Sequence, residues 1–318
     1  MGTLRFPILL GIAAVLPLAV RFLSDVALAA ANVSAETRLA IAGALDVYEI
    51  VLAAGLLVVF ALLAHRSLGR SLRPWGWLLT SLLAVAFAVW LAVPRGWAFS
   101  ALSTGALVLV AVFALRVRFP GRIDLASWPT WAFLGLVVLV PVVYAMRSAS
   151  ALALVTLEGT PGWLFANLPT FLLELLSIGT WMNLVLDAGQ GRRRWSWRPF
   201  VPFLIVPPIL ILFAARDLAG FVLTFEIAWG MNLSNFVPVL FSLGLALTAA
   251  ACYVSSILFL PRGERRRLLA TGLLLAILAG FLPSMASVGG LALALVLSAK
   301  ALAPAVETSD HGGDAPPP

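Results

Sequence analysis

Apolar residues fill this chain in long blocks, and the polar residues between them are gathered into short, arginine-rich turns. A helix needs about 20 apolar residues to cross a bilayer. Blocks of that order predict spans over Phe6–Phe22, Leu39–Ala64, Trp75–Val93, Trp97–Leu115, Trp128–Met146, Gly162–Leu186, Phe200–Ala215 and Phe236–Leu260. Pro202, Pro207 and Pro208 interrupt the seventh, so a straight helix is not expected there. Two shorter blocks follow, Leu268–Leu282 and Leu291–Leu302, with Pro283 and Gly289-Gly290 between them. They read as two spans with a tight turn or as a re-entrant hairpin. The small residues at 283–290 extend both helices and favour two spans.

The expected architecture is therefore all-α, a polytopic membrane protein of about 10 transmembrane helices, with one helical domain over 1–303. Residues 304–318, rich in acids, glycine and proline, predict a disordered cytoplasmic tail. The first block has a rival reading as a cleaved signal peptide ending near Ala27-Leu28-Ala29. Arg21 and Asp25, lying between core and cleavage site, argue against it.

Composition agrees with the pattern. Hydrophobic residues make up 62% and charged residues 11% of the 318, and mean hydropathy is +1.05. Soluble domains are near a quarter charged. The net charge of +7 is placed as a membrane protein places it and not as a nucleic-acid-binding surface. The turns after spans two, four, six and eight, with Arg5 and Lys300, hold 16 of the 21 basic residues, and the opposite face holds 5. That asymmetry predicts both termini in the cytoplasm, with a prokaryotic plasma membrane as the setting. Trp75, Trp77, Trp97, Trp128, Trp163, Trp195 and Trp197 fall near span ends, where interfacial anchors belong. Cys252 is the lone cysteine, and neither histidine, His65 or His311, is placed for a haem or zinc site. No cofactor and no metal is expected.

Within the sixth block stands one carboxylate, Glu174. Residues three and four apart share a helix face, so Asn167, Thr170, Glu174, Ser177 and Trp181 form a polar stripe opposite leucine and isoleucine. Unpaired polar groups in hydrocarbon cost several kcal/mol, so the stripe should face protein or water. Burial favours the neutral form of a carboxyl group unless a cation or hydrogen bonds offset it. A mid-span acid of this kind suits proton coupling, and equally a protonated packing contact. Glu174 is mid-span if the helix starts near Gly162, and nearer the outer face if Asn167 caps it with Pro169 in the first turn.

Asp46 and Glu49 lie one turn apart on span two. They read either as a site for a cation or for Arg38, or as a solvated helix start. Glu226 and Asn232, with Trp229, Ser234, Asn235 and Asp217, read as the lining of an outer vestibule or as a wet loop. The proline and glycine breaks suggest discontinuous helices of the kind that bind solutes at membrane depth. No phosphate-binding glycine loop, nucleophile elbow, zinc-protease motif or paired aspartate motif is present.

Ten spans in about 300 residues resembles the format of several carrier families. The turns His65-Arg66-Ser67-Leu68-Gly69-Arg70 and Leu186-Asp187-Ala188-Gly189-Gln190-Gly191-Arg192 are similar to cytoplasmic turns of polysulfide-reductase-type membrane anchors. That resemblance carries over no site residue. The expectation is a secondary carrier of a small solute, proton- or cation-coupled through Glu174. The alternative is a membrane-anchor or scaffold subunit, quinone-linked, that docks partner subunits.

Overall fold

The structure is a computed structural model that describes residues 34–66, 72–93, 96–120, 125–153, 160–190, 195–198, 201, 205, 263–281 and 284–303. Among the described residues there are seven long helices and no strand. They are α1 (Ala35–Arg66), α2 (Arg73–Ala92), α3 (Trp97–Arg118), α4 (Trp128–Ala153), α5 (Thr160–Gln190), α6 (Glu264–Phe281) and α7 (Ser284–Leu302). The first, seventh and eighth predicted spans, the predicted tail and the cleavage question lie outside the described residues.

By length and composition, five segments among the described residues are long and apolar enough to cross a membrane: Leu39–His65, Arg73–Ala92, Trp97–Arg118, Trp128–Ala149 and Met285–Leu302. This is the signature of a multi-pass membrane protein.

Helix starts follow local chemistry. Before α1, the Ser34 hydroxyl accepts from the Thr37 amide at 3.4 Å, and Glu36 sits in the first turn. The helix thus begins four residues ahead of the apolar block at Leu39. In α2 a proline occupies the first turn, where a missing N–H costs nothing. Its buried residues Gly76, Leu79, Leu83, Ala86 and Trp90 repeat at alternating steps of three and four, a single inward stripe. Gly76 lets α2 approach α1: a Cβ there would stand 3.2 Å from both the Cβ and the carbonyl oxygen of Ala64.

The core is organised around α7. It packs against α6 most extensively, and also against α1, α2, α3 and α4. Its apolar window is 89% buried, against 22% for that of α1, whose Val47, Val51, Val58 and Leu62 face outward. A helix enclosed on so many sides needs small residues where neighbours approach. A Cβ on Gly289 would come 3.1 Å from Leu56 Cβ of α1, and one on Gly290 would come 3.4 Å from the Leu275 carbonyl of α6. The Ser287 hydroxyl donates to the Ala279 carbonyl at 2.8 Å, and Trp181 of α5 donates to the Ser298 hydroxyl at 2.7 Å.

The pairing of 272 with 294–298 and of 275–279 with 287–290 makes α6 and α7 antiparallel neighbours. Two helices are found where two spans were favoured, though they are unequal. Glu264 and three arginines occupy the start of α6 and leave 14 apolar-rich residues, Leu268–Phe281.

The chain alternates direction through these helices, so their charged ends collect together. Arg66, Arg73, Arg116, Arg118, Arg265, Arg266, Arg267 and Lys300 all lie at or near one end of the bundle. At that end His65 stacks on Trp77 with ring centroids 3.9 Å apart, and the Arg118 guanidinium lies 4.7 Å from the Phe119 ring centre.

Gly272 is the tightest of the core positions: a Cβ would meet the Ser298 hydroxyl at 2.8 Å and the Ala294 carbonyl at 3.1 Å. Gly272→Ala is expected to cost about 1–3 kcal/mol through overpacking and to lower Tm in detergent. Gly55→Ala, where nothing lies within 4 Å of the new methyl, leaves Tm unchanged or raises it. Equal melting of the two variants would contradict this packing.

Candidate functional site

Glu174 sits midway along α5, which begins at Thr160. The helix therefore starts ahead of Gly162, with Pro169 inside it and not in its first turn. The polar stripe faces inward as expected: Thr170, Ser177 and Trp181 are buried. The side chain of Asn167 lies outside the described residues.

The partner of Glu174 is Arg147 of α4. Its Nη1 donates to Glu174 Oε1 at 3.4 Å and to the Ala279 carbonyl of α6 at 3.3 Å. The sequence placed Arg147 at the outer end of span five, where the apolar run stops. The helix instead continues six residues further, to Ala153, which sets the Arg147 backbone about 9 Å inside the helix end at 1.5 Å per residue. A helix can pass through a charged position when that charge is satisfied laterally, and here a carboxylate and a helix-terminal carbonyl do so.

The pair is neither sealed nor fully wet, with side chains 35% exposed for Arg147 and 26% for Glu174. At 3.4 Å it is looser than a tight charge-assisted bond, which runs about 2.7–2.9 Å. Beside it is a small cavity of about 20 Å³, room for about one water. Val140, Val143 and Tyr144 of α4, Ile178 and Trp181 of α5, and Ala276 and Leu291 of the hairpin form its wall with the ion pair. Trp181 serves two purposes: its ring borders the cavity while its indole N–H is fixed on Ser298.

The other predicted positions do not join this site. Asp46 is exposed and Glu49 half-buried on α1, and neither lines the cavity. The side chain of Arg38, Glu226 and Asn232 lie outside the described residues. Among the described residues, no group of three His, Cys, Asp or Glu side chains is placed to hold a metal.

Two residues at the arginine-rich end were not singled out from the sequence. Asn183, buried two residues beyond Trp181, donates to the Ser196 carbonyl at 2.9 Å and accepts from the Ser196 amide at 3.1 Å. It thereby pins the Trp195-Ser196-Trp197 turn, whose two indoles meet edge to face with centroids 4.3 Å apart. An asparagine inside an otherwise apolar run was the available signal. Asp187, the first residue beyond the predicted sixth span, is pushed up from the usual carboxylate range by burial. The Trp128 hydrogen bond and the Arg265 charge act in the opposite sense.

Neither a family model, nor a curated protein, nor a solved structure matches this chain.

Removing Asn183 with alanine strands both backbone polar groups of Ser196, a loss of about 1–3 kcal/mol. Trypsin cleavage at Arg192–Arg194 should quicken several-fold in N183A, and unchanged cleavage would count against the pin. For Asp187 the sign follows from its raised folded-state pKa. Between the ordinary value, about 3.9, and the raised one, the folded protein holds more protons than the unfolded. Stability therefore falls as pH rises through that window. D187N should flatten this part of a Tm-against-pH curve, and an identical slope would refute the assignment.

Proposed function

We propose that this protein is a secondary carrier of a small solute, coupled to protons through Glu174. In this reading about ten spans, with both termini cytoplasmic, sit in a prokaryotic plasma membrane.

The observation that supports the reading is the Arg147–Glu174 pair inside a helical bundle, beside a cavity that admits water. Removing an ion from water costs several kcal/mol, and apolar residues of similar volume are often at least as stable. Intramembrane charge pairs accordingly mark ion pathways and proton relays. The loose geometry lets the pair open. When Glu174 takes a proton, its Coulomb attraction to Arg147 disappears, while the Ala279 carbonyl still holds the guanidinium. That gives two arrangements of one site, separated by a proton, which is the minimum a proton-coupled carrier requires.

A second reading, a membrane-anchor or scaffold subunit, draws on the size of the cavity. Space for about one water accommodates no larger solute without helix movement, and basic side chains gathered at one end suit a docking face for partner subunits.

Reconstitution separates the two. In vesicles carrying an internal pH reporter, the carrier reading expects solute-dependent proton movement that falls at least tenfold in E174Q. Unchanged movement in E174Q would sink Glu174 as the coupling group. A stoichiometric, redox-active partner retained in mild detergent, with no proton movement, would establish the anchor reading.

A further inference from the structure

We infer that the carried solute is a small monoanion, which takes the place of the Glu174 carboxylate on Arg147 when Glu174 is protonated. This rests on the carrier reading above and names its substrate class.

The two members of the pair are held unequally. Arg147 is fixed from two sides, by Glu174 and by the Ala279 carbonyl. For Glu174 the described contact is Arg147. When the pair opens, the cation stays and the carboxyl group leaves, so the fixed charge of the site is positive. A cationic solute would have to settle on Glu174 beside that fixed guanidinium, against like-charge repulsion. An anion meets a guanidinium already oriented toward a carboxylate.

Among the described residues that line the cavity, no further charged side chain enters this balance. Among the described residues, the titratable groups at Glu174 are Arg147 and Tyr144, both from α4. The hairpin contributes uncharged Ala276 and Leu291, and α5 itself adds Ser177 and Trp181. The charges also balance. The proton passes from water to a Glu174 carboxylate oxygen, and the anion replaces the negative charge that this removes. The site is neutral before and after, so one proton moves with one monoanion. The cavity of about 20 Å³, added to the space the carboxyl group vacates, sets the size of the solute at a few heavy atoms.

The test uses the full chain in vesicles with an internal pH reporter, offered pyruvate, methanesulfonate, choline or ribose from outside. Methanesulfonate stays charged and excludes leakage of a weak acid. Pyruvate and methanesulfonate should acidify the interior, with no charge moved, and R147M should lower the rate at least tenfold. R147K, which keeps the charge, guards against a folding failure in R147M and should remain anion-selective. E174Q should exchange labelled pyruvate for unlabelled while moving no protons.

Proton movement with choline or ribose and not with the anions would overturn the anion assignment and leave the carrier reading standing. So would R147M acting as wild type, or E174Q losing exchange as well as coupling. No proton movement with any of the four would take the carrier reading down as well.

Discussion

The bundle depends on one helix being surrounded. Inside a bilayer, lipid tails are as apolar as leucine, so helices associate through close packing and interhelical hydrogen bonds more than through escape from water. α7 satisfies this with glycines where α1 and α6 come closest and with Ser287 and Ser298 as its polar contacts. Bulk at those points would push several neighbours outward together, because α7 packs against helices on several sides. The outer helices have no such restriction, and α1 and α2 turn broad apolar faces outward.

On this packed frame, three side-chain anchors join parts of the chain that lie apart in sequence. Trp181 ties α5 to α7, Arg147 ties α4 to both α5 and α6, and Asn183 holds the turn that follows α5. Two of the three are on α5, within one helical turn of each other. The helix that carries Glu174 is therefore held by polar contacts to α7 and to the turn that follows it.

Much of the fold was readable because hydropathy reports burial and span length directly. The Trp75 and Trp97 blocks became α2 and α3 with small changes at their ends, and the Trp128 block became α4, extended past Met146 to Ala153. The inward stripe of Thr170, Ser177 and Trp181 followed from helical spacing alone. What escaped notice depends on contacts between distant parts of the chain. Arg147 ended an apolar run and so looked like a boundary. Its true position depends on Glu174, 27 residues on, and Ala279, 132 residues on. One clue was present: an isolated arginine near the end of one span and an isolated acid in the next form a pair worth testing. Asn183 went unremarked for a similar reason, since its partner Ser196 lies beyond the arginine run.

The end of α6 has a further consequence. Peptide dipoles sum along a helix and leave roughly half a negative charge at its carboxyl end, on carbonyls that have no partner within the helix. The Ala279 carbonyl is one of these, and it meets the Arg147 guanidinium. The arginine is thus stabilised by a whole helix as well as by one acid. One more turn would carry that negative pole past its target, and Pro283, having no N–H, could not donate to the Ala279 carbonyl in a continued helix. The length of α6, which ends at Phe281, is therefore an electrostatic setting as well as a matter of packing.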